Sequence, residues 1–150
     1  MAHTYGSCLY HFVFSTRNRE ATIDPEWMSR LWEYMGGIAR EDRMKALCTG
    51  GTENHCHTLL MIPAAMAPAK GIQLIKGGSS KWINDQFKTR GEFGWQEGYG
   101  VFTIGFSQIE ATQRYIRNQA EHHRQRTFEE EYRAFLRKHI IEVQEDYIFG

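Results

Sequence analysis

This sequence is short of several things, and each shortage excludes something. It has no excess of charge of either sign, with 18 lysines and arginines against 18 aspartates and glutamates. A neutral balance gives no global attraction to nucleic acid, so any contact with a polyanion must come from a local patch. No apolar run approaches the roughly twenty residues of a membrane span. The opening Met1-Ala2-His3-Thr4-Tyr5-Gly6 lacks the basic and apolar regions of a secretory signal. Cysteines number only three (Cys8, Cys48 and Cys56), with no CxxC spacing. That argues against a disulfide framework or a zinc ribbon and suits a reducing cytoplasm. Internal repeats, low-complexity tracts and linkers are missing too. What is present is ordinary: 150 residues, 41% hydrophobic and 24% charged, enough for one domain with a real core.

The most informative stretch is Asn54-His55-Cys56-His57-Thr58-Leu59-Leu60-Met61-Ile62, which reads as a strand. Side chains alternate across a pleated strand, so His55 and His57 share one face with Leu59 and Met61. Cys56, Leu60 and Ile62 take the other. Both faces are largely apolar, as in a strand covered on both sides. Two imidazoles on one rigid face can occupy adjacent positions around one metal ion. An isolated HxH is also compatible with two satisfied structural histidines, so the rest of the chain has to decide.

Leu9 to Thr16 reads as a first strand, aromatic and β-branched, ending in the basic Arg17-Asn18-Arg19. Asp24 is a cap for a helix with Pro25 at its first position and Glu26 just inside. Trp27, Leu31, Tyr34, Met35 and Ile38 give that helix a buried face. Met44 to Thr49 is a second strand, and Gly50-Gly51-Thr52-Glu53-Asn54 is the turn that pairs it with the histidine strand. Pro63 ends that strand, and Ala64 to Pro68 is a loop. A second helix carries Ile72, Leu74, Ile75, Trp82, Ile83 and Phe87, and Gly77-Gly78-Ser79-Ser80 interrupts it, which allows either a kink or two short helices. A glycine-rich loop, Arg90 to Gly98, leads to a fourth strand over Tyr99 to Phe106. Ser107 and Glu110 form a capping box for a helix from about Gln108 to His123. Thr127 and Glu130 cap a last helix to about His139. The order strand, helix, hairpin, helix, strand is a split βαβ pattern. The expected fold is therefore α+β, a ferredoxin-like or RRM-like antiparallel sheet with helices on it and extra C-terminal helices.

On the helix after the fourth strand, Tyr115 and Gln119 are four residues apart and share a face, with His122 close to the same stripe. A glutamine amide oxygen is a workable ligand for a hard cation. Two histidines and that oxygen leave positions open for a water or a phosphate oxygen, with the tyrosine one turn away. A phenol, with a pKa near 10, is a poor nucleophile until it is deprotonated. A metal on a phosphodiester polarises phosphorus and steadies the leaving alcohol. Attack by Tyr115 would then give a phosphotyrosine and a free 3′-hydroxyl. Because the bond energy is kept, a second 3′-hydroxyl could reverse the step and no nucleotide cofactor is needed.

These segments together resemble the IS200/IS605-like transposases, the single-tyrosine members of the HUH endonucleases, including the REP-associated tyrosine transposases. Tyr10 to Arg19 looks like the family's opening strand, and Asn54 to Pro63 is similar to its HUH segment. Leu74 to Ser80 resembles its second-helix segment, and Tyr115 to His123 its nucleophile helix. Phe128-Glu129-Glu130-Glu131-Tyr132 and Asp146-Tyr147-Ile148-Phe149 are similar to the tail of the REP-associated branch. The resemblance implies that His55, His57 and Gln119 are metal ligands, for magnesium or manganese, and that Tyr115 is the nucleophile. It implies cutting and rejoining of single-stranded DNA at imperfect hairpins by a homodimer. It implies one catalytic domain over 1–150, with 127–150 as a helical extension. Asn54 departs from the pattern, which leads one to expect an acidic residue there as a carboxylate partner for the ligands.

Candidate phosphate contacts are Arg17, Arg19, Lys76, Lys81, Arg90, Arg114, Arg117 and Arg124, with Arg114 and Arg117 flanking the tyrosine. Each is equally compatible with a solvated surface charge. Trp82 suits the core. Trp95, in the glycine-rich loop, is the more open of the two for stacking on an unpaired base. A histidine-triad hydrolase would want a third histidine where Leu59 stands. A two-motif phosphoesterase would need two His-x-Ser/Thr pairs. An RRM-type binder would give no role to the Tyr115/Gln119 pairing. The remaining alternative is a domesticated, non-catalytic relative that binds hairpin DNA.

Overall fold

A computed structural model of the chain describes residues 3–87, 91–139 and 141–150. Four strands form one sheet: β1 (Leu9–Ser15), β2 (Lys45–Thr52), β3 (His55–Met61) and β4 (Gly100–Thr103). Their order across the sheet is β2-β3-β1-β4, and every neighbouring pair is antiparallel. The helices are α1 (Met28–Glu41), α2 (Pro68–Gln86), α3 (Ile109–Arg117), α4 (Gln119–His122) and α5 (Phe128–Lys138). This is the expected ferredoxin-like α+β sheet with added C-terminal helices. No helix among the described residues is long and apolar enough to cross a membrane.

Each face of the sheet has its own core. Phe12 and Phe14 of β1 and Cys56 and Leu60 of β3 pack against Leu31, Met35, Ile72, Ile75 and Ile83 of α1 and α2. On the reverse face, Val13 of β1 and Phe102 of β4 meet Phe128, Tyr132 and Leu136 of α5. Strict alternation along β1 and β3 sends His11, His55 and His57 to this second face. The histidine strand is thus covered on both sides, and five of its seven residues are fully buried at 0% exposure.

Several expected boundaries move, each for a physical reason. Asp24 caps a turn three residues before α1, accepting from the Glu26 amide (2.9 Å), and the helix starts at Met28. Gly50, Gly51 and Thr52 belong to β2, and only Glu53 and Asn54 turn the chain. The glycines serve close approach: a Cβ on Gly51 would lie 2.1 Å from the His55 carbonyl oxygen. Neither the kink nor the split into two short helices occurs in α2. Gly78 lets α1 come close, since its Cβ would stand 2.8 Å from Ile38 Cδ1, and the helix runs unbroken. The fourth strand stops at Thr103, and a 3₁₀ turn, Phe106–Gln108, precedes α3. Ser107 caps nothing; Gln108 Oε1 accepts from the Gly105 amide (2.8 Å) instead. The tyrosine helix divides at Asn118 into α3 and α4. Thr127 does cap α5, accepting from the Glu130 amide (3.2 Å), with the Glu130 side chain completing the box. Trp95 is closed off from solvent: it packs on Phe14 and Phe93 and donates to Ser79 Oγ (3.0 Å). Trp82 is half-buried and stacked on Tyr34.

Candidate active site

β3 holds His55 and His57 rigidly, and α3, α4 and α5 bring their partners. His55 Nε2 lies 2.8 Å from Gln119 Oε1. His57 Nε2 lies 2.9 Å from Glu131 Oε1, and the same oxygen is 3.7 Å from His55 Nε2. His123 Nε2 stands 3.1 Å from Gln119 Oε1 and 3.3 Å from Glu131 Oε1. The hydroxyl of Tyr115 donates to Glu131 Oε2, and Arg126 Nη2 lies 3.4 Å from that hydroxyl. His122 stacks on the Tyr115 ring at 4.6 Å. The expected four residues, His55, His57, Gln119 and Tyr115, therefore meet at one point from three elements.

Four participants were not singled out by the sequence: His11, His123, Arg126 and, above all, Glu131. Glu131 is 0% exposed, and His55, His57 and Glu131 form a group able to hold a metal ion. A signal for it existed. Phe128, Glu131, Tyr132, Phe135 and Leu136 follow the i, i+3, i+4, i+7, i+8 pattern of a buried helix stripe, and the one carboxylate on that stripe is Glu131.

The electrostatics are those of a dry polar pocket. Burial, then the neighbouring His57, lowers the His55 pKa to about 3, so the ring is neutral. A neutral imidazole has one proton for two nitrogens. His55 Nδ1 faces Asn54 Oδ1 and Thr52 Oγ1, both at 2.9 Å, while Nε2 faces the Gln119 oxygen. The Gln119 amide is oriented by its Nε2, which donates to the Tyr115 carbonyl (3.3 Å). With the proton on Nδ1, two lone pairs oppose one another at Nε2 and Gln119 Oε1, an arrangement that a cation between them relieves. The donor set of imidazole nitrogens, an amide oxygen and a carboxylate fits a divalent ion. Burial would push the Glu131 carboxyl up, but hydrogen bonds from His123 and His57 hold it well below the usual range. Burial, and then Glu131, push the Tyr115 phenol well above its ordinary value, while Arg126 pulls it back.

Tyr115 is half-buried and opens on a cleft of about 350 Å³ whose walls include His11, Arg126, Phe135 and Lys138. The expected phosphate contacts are more dispersed. Arg114 pairs with Glu110 (3.1 Å), Arg124 with Glu121 (3.3 Å) and Lys81 with Asp85 (2.8 Å), all on the surface. Arg19 pairs with Glu129 (2.9 Å) and covers the Phe149 ring. Arg117 interacts with Cys48 of β2. Arg17 lies against Gly94, on the rim of a second cavity of about 620 Å³ beside α2. Lys76 points inward: its ammonium donates to the carbonyls of Gln96 (2.7 Å), Glu97 (3.3 Å) and Gly98 (2.8 Å), and burial lowers its pKa to about 8. Arg90 lies outside the described residues.

Residues 4–119 match the family model described as "Transposase IS200 like". The transposase for insertion sequence element IS200 of Salmonella typhimurium is 29% identical over 126 residues, covering 81% of this chain and 82% of that protein. Its Salmonella typhi counterpart matches equally. Among solved structures, a candidate transposase from Deinococcus radiodurans superposes with a TM-score of 0.62 at 22% identity, over 79% of this chain and 98% of that one. A REP-associated tyrosine transposase bound to a REP hairpin superposes with a TM-score of 0.60 at 14% identity, over 82% of this chain and 73% of that one. At those identities the two structures speak for the fold.

Proposed function

This chain belongs to the IS200-like transposase family, and we propose that it cleaves and rejoins single-stranded DNA at hairpin-flanked sites through a 5′-phosphotyrosine intermediate. The observation that carries the reading is the convergence of Tyr115 with His55, His57 and Gln119 at the end of a basic cleft. His55, His57 and Gln119 would hold a magnesium or manganese ion, with Glu131 in reach as a further oxygen ligand. When bound, such an ion supplies Lewis acidity at the scissile phosphate.

The chain's own residues do the rest. Arg126 and Lys138 line the cleft beside Tyr115 and attract the phosphate backbone. Glu131 takes the hydrogen bond of the Tyr115 hydroxyl and fixes where its oxygen points. The Tyr115 oxygen forms a bond to phosphorus as the bond from phosphorus to the 3′-oxygen breaks. The 3′-oxygen leaves as a hydroxyl, taking up one proton, and the phenol loses one. Attack by a second 3′-hydroxyl on the phosphotyrosine returns the phenol and seals the new strand. Residues 1–150 act as one catalytic domain, with 127–150 as the helical extension that delivers Glu131. Hairpin ends are the natural substrate for a chain whose structural relative holds a REP hairpin. A homodimer follows from the family resemblance, as do DNA contacts from Arg17, Arg19, Lys81, Arg114, Arg117 and Arg124.

One observation favours a second reading, that of a domesticated, non-catalytic binder of hairpin DNA. Tyr115 is tied to a buried carboxylate that disfavours its ionisation. The two readings part in a single assay. Incubation with hairpin-bearing single-stranded DNA and Mn²⁺ should give a protein–DNA adduct that survives denaturation, and Tyr115→Phe should abolish it. No adduct with the unaltered protein, or an undiminished one with Tyr115→Phe, defeats the catalytic reading.

A further inference from the structure

His11 sits on β1, paired with Leu59 of β3 and Phe102 of β4, on the same sheet face as His55 and His57. It is buried, and its Nε2 stands 2.8 Å from His57 Nδ1, with the rings 5.1 Å apart. The Phe135 and Phe102 rings meet it edge-on. His57 presents its other nitrogen, Nε2, to Glu131 and the remaining ligand atoms. A nitrogen that ligates a metal needs its lone pair. If Nε2 ligates, the one proton of a neutral His57 sits on Nδ1 and needs an acceptor, because an unpaired buried N–H is costly.

We propose that His11 is the positioning residue of this metal site: in the loaded protein its bare Nε2 accepts the His57 Nδ1 proton and its own proton resides on Nδ1. The proposal rests on the metal reading given above. In this arrangement each ring carries one proton, and the His57 Nδ1 proton is taken by an imidazole nitrogen, not by a carboxylate. His55 is oriented by a different device, the Asn54 amide oxygen and Thr52 hydroxyl at its Nδ1. The two ligand histidines are therefore set independently, one by a chain neighbour and one across the sheet.

Loss of such an orienting partner typically weakens metal binding by about 10- to 100-fold. His11→Phe removes the acceptor and suits the aromatic walls, whereas His11→Gln offers an amide oxygen to the same proton. Calorimetric titration with Mn²⁺ alone, without DNA, compares the unaltered protein, both variants and His57→Ala. Thermal unfolding of each metal-free protein checks that it is folded. The expected result is binding by the unaltered protein, loss with His57→Ala, at least about tenfold weaker binding with His11→Phe and near-full rescue with His11→Gln. Equal affinity of His11→Phe and the unaltered protein overturns the proposal and leaves the metal reading standing. No binding by the unaltered protein overturns both. Should His11→Phe not fold, side-chain ¹⁵N spectra of the unaltered protein with Zn²⁺ as a diamagnetic probe decide. Protons on Nδ1 of both His57 and His11 are expected, and a loaded protein with the His11 proton on Nε2 overturns the proposal.

Discussion

Tyr115 and Glu131 are joined hydroxyl to carboxylate across the gap between α3 and α5. The other oxygen of the same carboxylate lies against His57 and His123. One buried side chain thus links the phenol to the imidazole cluster, so the state of the cluster and the state of the phenol cannot be set separately.

Replacing Glu131 by Gln should lower the Tyr115 pKa. Glu131 raises it in two ways, by accepting the hydroxyl proton and by placing negative charge beside a forming phenolate. Gln keeps the volume and an acceptor oxygen but removes the charge. Burial is the larger cause of the shift and stays, so the value should remain above that of a free tyrosine. The ¹³Cζ shift of labelled Tyr115, followed against pH, gives the answer. An unmoved titration would mean that the carboxylate does not govern the phenol.

Divalent metal should stabilise the fold, because a ligand that binds only the native state adds RT ln(1 + [L]/Kd). At a hundredfold excess over the dissociation constant this is about 2.7 kcal/mol. For a chain of this size that corresponds to a rise in Tm of roughly 5–10 °C. Scanning calorimetry with Mn²⁺ and with a chelator should show the rise for the unaltered protein and none for a His55→Ala, His57→Ala double variant.

Much of this arrangement could be read from residues alone, and the limits are instructive. The order of strands and helices followed from periodicity and capping, as the Thr127–Glu130 box of α5 shows. The shared face of His55 and His57 followed from the two-residue repeat of a strand. His11 could not be found that way, since its place beside His57 depends on the register between β1 and β3, a tertiary fact. Glu131 was hidden inside three consecutive glutamates that look like an ordinary solvated helix start. The glycines at 50 and 51 read as a turn because glycine marks both turns and places where backbones crowd. Only the contacts tell which.

The metal-free protein should lose stability as pH falls from about 6.5 towards 3. His55 is neutral when folded, with its pKa lowered to about 3, and His11 is shifted the same way. Below about pH 6.5 the unfolded chain takes up protons that these folded rings refuse. At pH 5 the cost from His55 is about 2 kcal/mol, and His11 adds to it in the same direction. Glu131 acts later: its folded pKa is depressed, so its contribution is intact above about 4.5 and lost only below. Urea unfolding at pH 7 and pH 5 with chelator present measures the first window, and coincident midpoints would contradict it.

Gly50 is the point at which the fold sets the distance of the tyrosine helix. It pairs with His57 across the hairpin. A Cβ there would lie 2.8 Å from the Ile116 carbonyl oxygen and 3.1 Å from Ile116 Cγ2. Those are backbone and side-chain atoms of the residue next to Tyr115, so relief requires α3 to move away from β2. Gly50→Ala should therefore fold but carry Tyr115 and Gln119 outward from His55 and His57. A displacement of about 1 Å at a reacting atom can cost on the order of 10²-fold in rate. The expected pattern is a loss of adduct formation of about that size, with hairpin DNA binding changed much less. Gel-shift and adduct assays on the same preparation separate the two. Undiminished adduct formation would show that α3 tolerates the methyl group and that this contact does not set the position of the phenol.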